Sequence, residues 1–142
     1  MAIQQFVIFK LENETFALNI NKVKEIVQIA EITRVPNVPD YIEGMMNMRG
    51  HVYAVVGLRN KFHYSSEKLN NNARIMLINS GNTIVGVVVD EIVEIRNVED
   101  KDLEKTPEII SKVKAEFIKG VIKNTENVTI ILDIDKVFDV AA

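Results

Sequence analysis

The chain has 142 residues, of which 47% are hydrophobic and 26% charged, with a net charge of −3. That is one ordinary domain, or two very small subdomains sharing a core, and it is too apolar for a disordered chain. The absence of cysteine excludes disulfides, thiolate metal sites and cysteine catalysis, and the slight acidity gives no general attraction to nucleic acid or anionic membranes.

Short β-like runs dominate. Residues 6–11, FVIFKL, and 15–20, TFALNI, carry aromatic and β-branched residues on both sides of a tight polar connection, which predicts two strands. Val23, Ile26 and Val27 fit one face of a short helix or a helix-to-strand transition. Pro36 and Pro39 then interrupt regular structure. Residues 42–48 and 51–58 read as a hairpin turning at Arg49-Gly50, with Gly50 suited to positive φ. The polar stretch 60–73 reads as a loop. Residues 74–95 form a hydrophobic pair around Gly81-Asn82, and 98–116 is a charged connection with a helical turn after Pro107. Residues 117–134 make another hairpin through NTEN, and DIDKVFDV ends in a short helix with Asp133 or Asp135 near its positive end.

Such a pattern argues for a small barrel or sandwich rather than a βαβ sheet. Residues 42–62 align without a gap with 118–138, an offset of 76, and a weaker match at an offset of 69 places 6–20 beside the 75–89 region. Two similar half-size β units are therefore expected, each too small for a generous core and sharing an apolar interface. Gly44 and Gly120, matched in the repeat, suggest a bulge or close backbone approach.

Motifs of catalysis are scarce: there is no GxSxG elbow, P-loop, HExxH or dinucleotide glycine pattern. Asp133 and Asp135 read as cap or surface residues, since a metal needs more converging ligands. His51 has no partner arrangement for a general base, and His63 sits in generic loop composition with Ser65 and Ser66. Asp90-Glu91 and the run at 98–108 read as a solvated acidic edge. The basic residues Arg34, Arg49, Arg59 and Lys61 leave residues 31–64 close to neutral, a weak footprint for single-stranded nucleic acid, and Phe62 reads as core. Met45, Met46 and Met48 read as core or near-core. Arg49, mounted before Gly50, suits paired contacts to carboxylates or carbonyls, and Glu25 reads as a surface acid.

KVKEI at 22–26 and IEGMMNMRGHVYAVVGLRNKF at 42–62 resemble the bacterial chemotaxis coupling proteins, the CheW-like domain family. The matching elements are Asn47-Met48-Arg49-Gly50, the strand end Val56-Gly57-Leu58-Arg59, VGVVVDEIVEI at 85–95, and 117–138. Met48 stands for the family's usual leucine and Gly57 for its usual aspartate. The resemblance implies an all-β fold of two packed five-stranded SH3-like β-barrel subdomains with short helical segments. It implies a single domain over 1–142, with a subdomain transition near residue 70 and terminal strands free to cross over. It also implies a non-catalytic adaptor, without metal or cofactor, that joins chemoreceptor tips to the regulatory domain of the histidine kinase CheA and supports array assembly. The protein-interface residues it implies are Val23, Glu25, Asn47, Arg49 and Gly50. With no apolar run of ~18 residues and no signal peptide, the expected location is cytoplasmic, at receptor arrays on the inner face of the membrane, without membrane insertion or nucleic-acid binding.

Overall fold

The computed structural model describes residues 3–62, 64, 71–104, 115–123 and 128–138. Strands β1 (Ile3–Leu11) and β2 (Glu14–Asn19) form a hairpin, and a 3₁₀ turn at Ile20–Lys22 leads into β3 (Val23–Gln28). Strands β4 (Ile42–Met48) and β5 (His51–Gly57) form the second hairpin, followed by the one-turn helix α1 (Leu58–Lys61). Then come β6 (Arg74–Ser80), β7 (Thr83–Val89), β8 (Glu91–Glu99) and the two-residue β9 (Leu103–Glu104). The last hairpin is β10 (Ile118–Lys123) with β11 (Val128–Leu132), closed by helix α2 (Ile134–Val137).

The strands form two mixed sheets, one ordered β8-β1-β2-β11-β10-β9 and the other β3-β6-β7-β5-β4. Each has one parallel pairing, β2 with β11 and β7 with β5, and the rest are antiparallel. The expected pair of five-stranded barrels is thus corrected to sheets of six and five strands, and no ladder joins the outermost strands among the described residues. The edges do approach through the chain itself. The segment leaving β8 at one edge returns as β9 to pair with β10 at the other, and Thr33, beyond β3, bridges to Met45 of β4.

The repeat is carried through to the register. At the offset of 69, Phe9↔Phe16 in the first sheet becomes Ile78↔Val85 in the second. Ile95↔Val7 likewise matches Ile26↔Met76. At the offset of 76, the register shift between Ile118 and Gly120 matches that between Ile42 and Gly44. The parallel pair Ala17↔Ile131 matches Gly86↔Val55 when both offsets are applied. One consequence is an exchange of edge strands: β3 follows the first hairpin yet pairs with β6, and β8 follows β7 yet pairs with β1.

Alternation along the strands divides the core into three. Phe6, Ile8, Ala17, Val98, Ile122 and Ile131 fill one side of the six-stranded sheet. Met46, Val55, Ile75, Leu77 and Val88 fill the corresponding side of the other. Between the sheets lies a shared seam with Phe9, Phe16, Leu58, Phe62, Met76 and Ile78 among its members. Its rings Phe9, Phe16 and Phe62 stack at 5.8 and 6.1 Å centroid separation.

Both repeat glycines are explained by close approach. A Cβ on Gly44 would lie 2.1 Å from the Thr33 carbonyl oxygen, and Gly44 also has φ of 151°. A Cβ on Gly120 would lie 2.8 Å from the Glu104 carbonyl oxygen. Each glycine lets the returning chain touch the edge strand.

Several expectations change. Residues 23–28 are a strand, because Val23, Glu25 and Val27 are half-buried while Lys24, Ile26 and Gln28 are exposed. The run 74–95 is two strands plus part of a third. At Asp90 the chain leaves one sheet for the other, its N–H donating to the Lys10 carbonyl at 3.0 Å. The first residues of the expected 60–73 loop belong to α1. Met46 is buried, but Met45 lies on the outer face of β4 and is exposed. The transition expected near residue 70, the turn after Pro107, the NTEN turn, His63, Ser65 and Ser66 fall on or against residues outside those described.

Candidate functional site

Between β4 and β5 the register Met48↔His51 leaves a two-residue loop, Arg49-Gly50. Both residues have positive φ, 51° and 85°, the combination a type I′ hairpin loop needs. Gly50 takes it freely, whereas Arg49 is held in the left-handed region at a cost of about 1–2 kcal/mol. Sequence reading anticipates the first of these and misses the second. Asn47 frames the loop, its side-chain oxygen accepting the Gly50 N–H at 3.2 Å.

Glu25 lies on β3, just past a register shift between Val23 and Glu25. In strand order β3 and β4 are opposite edges of their sheet, yet Arg49 Nη2 donates to Glu25 Oε2. The sheet therefore curls enough to bring its two ends within side-chain reach. Val27, on the same side of β3 as Glu25, and Met48, next to Arg49, both pack on the enclosed core, so the ion pair sits at its rim. The Arg49 side chain is 69% exposed and that of Glu25 32%, which limits the pair to about 0–1 kcal/mol of stability. Beside it, Met45, Asn47 and Val52 are exposed on one face of the hairpin, with Asn47 directly opposite Val52, and Ile26 is exposed on β3. Lys24 Nζ lies 6.0 Å from the Tyr53 ring centroid, a second link from β3 to β5.

The structure thus brings Glu25, Asn47, Arg49 and Gly50 to one surface. Val23 lies at the start of β3 and packs against the shared seam. The repeat offers an internal comparison: Glu94, the equivalent of Glu25, pairs instead with Arg96 on its own strand at 2.6 Å.

A second polar cluster escapes the sequence reading. Arg59 Nε and Nη2 donate to the two oxygens of Asp90 at 2.9 and 2.6 Å, and Nη1 donates to Glu12. The Glu12 N–H donates to Asp90 Oδ2 at 2.8 Å. Asp90, read as part of a solvated edge, has a side chain only 12% exposed, and Arg59 only 17%. The hydrogen bond to Asp90 raises the Arg59 pKa further above its ordinary value, against a smaller opposing effect of burial. Nearby, Tyr64 donates to Glu14 at 2.7 Å, and burial, followed by that contact, raises its pKa. The available signal was Asp90 directly after the apolar run of β7, a charge in a place where charges are buried only when paired.

The other polar candidates are structural. Asp133 caps α2 by accepting the Lys136 N–H, and Asp135 pairs with Lys22 at 3.1 Å. His51 is exposed beside Tyr53. No group of three or more acidic or histidine side chains able to hold a metal occurs among the described residues. No helix among them is long and apolar enough to cross a membrane.

Comparison with known proteins decides the family. The model of the CheW-like domain matches residues 5–142. The chain belongs to the CheW-like domain family. It is 32% identical to chemotaxis protein CheW of Klebsiella aerogenes, over 94% of this chain and 80% of that protein. It is 30% identical to chemotaxis protein CheW of Treponema pallidum, over 94% and 81%. The crystal structure of scaffolding protein TtCheW from Thermoanaerobacter tengcongensis superposes with a TM-score of 0.90 at 26% identity, covering 99% of this chain and 90% of that one. As a CheW-like domain, the protein is a non-catalytic adaptor of chemotaxis signalling that works by protein–protein interaction.

Proposed function

We propose that this CheW-like domain couples chemoreceptor tips to the regulatory domain of the histidine kinase CheA, and that it does so at receptor arrays on the cytoplasmic side of the membrane. In this reading residues 1–142 act as one unit of two subdomains related to SH3-like barrels, each presenting its own outer face. Receptor contact falls on the surface of Glu25, Asn47, Arg49 and Gly50, with Val23 behind it. The observation that carries the reading is the exposed Arg49 held by a backbone conformation that arginine rarely adopts. A strained residue in a solvent-facing loop contributes little to folding, and its stiff mounting reduces the ordering cost of a partner's contact. The neighbouring Met45, Val52 and Ile26 supply apolar area around a charged pair, the composition of a docking surface.

The test is reconstitution with receptor, kinase and this protein. Arg49→Glu is expected to abolish receptor control of autophosphorylation and weaken receptor binding at least tenfold, with the thermal midpoint nearly unchanged. Arg49→Asn keeps a residue tolerant of the left-handed region and removes the guanidinium, so it should lose binding without loss of fold. Unchanged binding to both partners and unchanged kinase control in Arg49→Glu would defeat this assignment.

A further inference from the structure

Strand β8 is an end strand of the six-stranded sheet, and its outer edge has no partner strand among the described residues. Its repeat counterpart β3 is also an end strand. There, Glu25 reaches Arg49 and Lys24 reaches the Tyr53 ring, so that edge is linked to the other hairpin of its own sheet. On β8 the equivalent acid turns along its own strand instead, with Arg96 Nη2 donating to Glu94 at 2.6 Å. An open edge offers its N–H and C=O groups to any passing strand, and sheets guard such edges with bulges and charge. Strand β8 has both, a register shift against β1 at Val93 and the charges at 94 and 96. It also exposes Val93 and Ile95, at 41% and 54%. Charge repels strands in general, but not a strand whose charges are complementary.

The charges of this edge are placed symmetrically: Glu94 and Arg96 flank Ile95. When two copies of the segment run antiparallel with Ile95 opposite Ile95, each Glu94 faces an Arg96 of the other copy, and Val93 faces Asn97. Directly opposite residues share a face, so the two isoleucines meet on one side and both ion pairs form on the other. Within each copy Ile95 lies opposite Val7 of the shared seam, and Arg96 lies opposite Phe6 of the outer core. The isoleucine contact therefore continues the apolar seam side of the sheet, and the ion pairs fall at the rim of the other core. Moving the axis by one residue sets arginine opposite arginine or glutamate opposite glutamate, so charge selects the register. Strand β3 has no such pattern, since Glu25 and Val27 flank Ile26. Farther out Glu91 would face Glu99, and the bulge at Val93 bends the strand before that contact, which limits the ladder to 93–97.

We infer that β8 is a self-association edge: two copies of this chain pair their β8 strands antiparallel about a two-fold axis at Ile95, joining their six-stranded sheets into one. An isologous contact of this kind closes at two copies. So short a ladder falls below the ~1,200 Å² of a stable interface, so the dimer is weak, with a Kd in the range of about 10 μM to 1 mM, and forms where copies are concentrated. The Glu25–Arg49 surface belongs to the other sheet, so the dimer presents it twice.

Sedimentation velocity at rising concentration reads the dimer directly. Arg96→Glu and Glu94→Arg each set like charges opposite one another and should weaken it at least about tenfold, whereas Glu94→Arg/Arg96→Glu restores opposite charges and should return to within about threefold of the parent. Thermal midpoints taken where the monomer dominates should stay close to the parent's, because the Arg96 and Glu94 side chains are 28% and 46% exposed. The chain has no cysteine, so single thiols test the register without background. Ile95→Cys places two thiols across the axis at a Cα separation of about 4.5–5.5 Å, within disulfide range. Val93→Cys places them about 14 Å apart along the strands, outside that range. Under mild oxidation the first should form a disulfide dimer at least about tenfold faster than the second. A chain that stays monomeric to about 1 mM, a double variant as weak as the single ones, or equal cross-linking at the two positions would overturn the inference. Protection of β8 amides from hydrogen exchange only when receptor or kinase is added would overturn it as well, and would assign the edge to that partner.

Discussion

Gly57 stands where the repeat carries Asp133, and the consequence can be worked from the geometry. Both residues are the N-caps of one-turn helices in nearly the same conformation, φ −91° and ψ 109° for Gly57 against −91° and 94° for Asp133. Asp133 accepts the Lys136 N–H, whereas α1 has no side-chain cap. Backbone strain does not require glycine here. The space is taken instead: a Cβ at Gly57 would lie 2.4 Å from Glu43 Oε1 and 3.2 Å from its Cδ. Glu43, whose repeat equivalent is Lys119, also accepts from Asn60 Nδ2 at 3.2 Å. The carboxylate near this helix end comes from the neighbouring strand rather than from position 57. Gly57→Asp alone must push Glu43 aside and set two carboxylates together, offsetting the ~1 kcal/mol that a good N-cap brings relative to none. In a Glu43→Ala background the same substitution meets no clash and no like charge, and should stabilise by about 0.5–1 kcal/mol. The expected coupling in a double-mutant cycle is about 1 kcal/mol or more, read from urea midpoints or as a few degrees in the thermal midpoint. Additivity of the two substitutions within ~0.3 kcal/mol would refute the relocation argument.

Three further outcomes follow from contacts already described. Gly44→Val, facing backbone at 2.1 Å and a positive φ, should cost roughly 3 kcal/mol or more, and Gly120→Val, facing backbone at 2.8 Å, about 1–3 kcal/mol; denaturant titration ranks them. Tyr64 ionises less readily in the folded chain than at its ordinary 10.0. Its stabilising contribution is therefore complete below that value and lost as pH rises above it, and Tyr64→Phe should flatten this part of the alkaline unfolding curve. Lys61 Nζ lies 4.2 Å from the Tyr41 ring centroid, so Lys61→Gln should cost about 0.5–1 kcal/mol and Lys61→Arg much less, by thermal unfolding.

What the sequence made legible was local or duplicated. The hairpins at 42–57 and 118–132, the cap at Asp133 and the paired glycines follow from turn chemistry and the gap-free match between two segments. The partners of β3 and β8 were not legible, because an alternating strand records that it has one buried face and not which sheet it joins. For the same reason Asp90 looked solvated: its ligands, Glu12 and Arg59, lie 78 and 31 positions away, and only the crossover places them together. In the proposed interface region, a strained Arg49 could not be read from an Arg-Gly pair, since glycine alone accounts for a tight turn. Its link to Glu25 depends on the curl of the sheet, which no spacing encodes.

The exchange of edge strands bears directly on how an adaptor of this size can exist. Had each repeat kept its own edge strand, each would have been a separate half-size unit with a few buried residues on one side of its sheet. Giving β3 to the second sheet and β8 to the first makes each sheet incomplete without the other half of the chain. The seam, with its stacked phenylalanines, then forms as part of the same cooperative step. The cost is a topology rich in distant pairings, such as β1 with β8, which slows folding relative to two local hairpin units. The return is a single cooperative body with two related but unequal outer faces. In one copy Glu25 pairs with the hairpin; in the other Glu94 pairs along its own strand. Once duplication had supplied two faces on one body, divergence of a few surface side chains was enough to make them chemically different. The strand exchange keeps those faces on one cooperatively folded body.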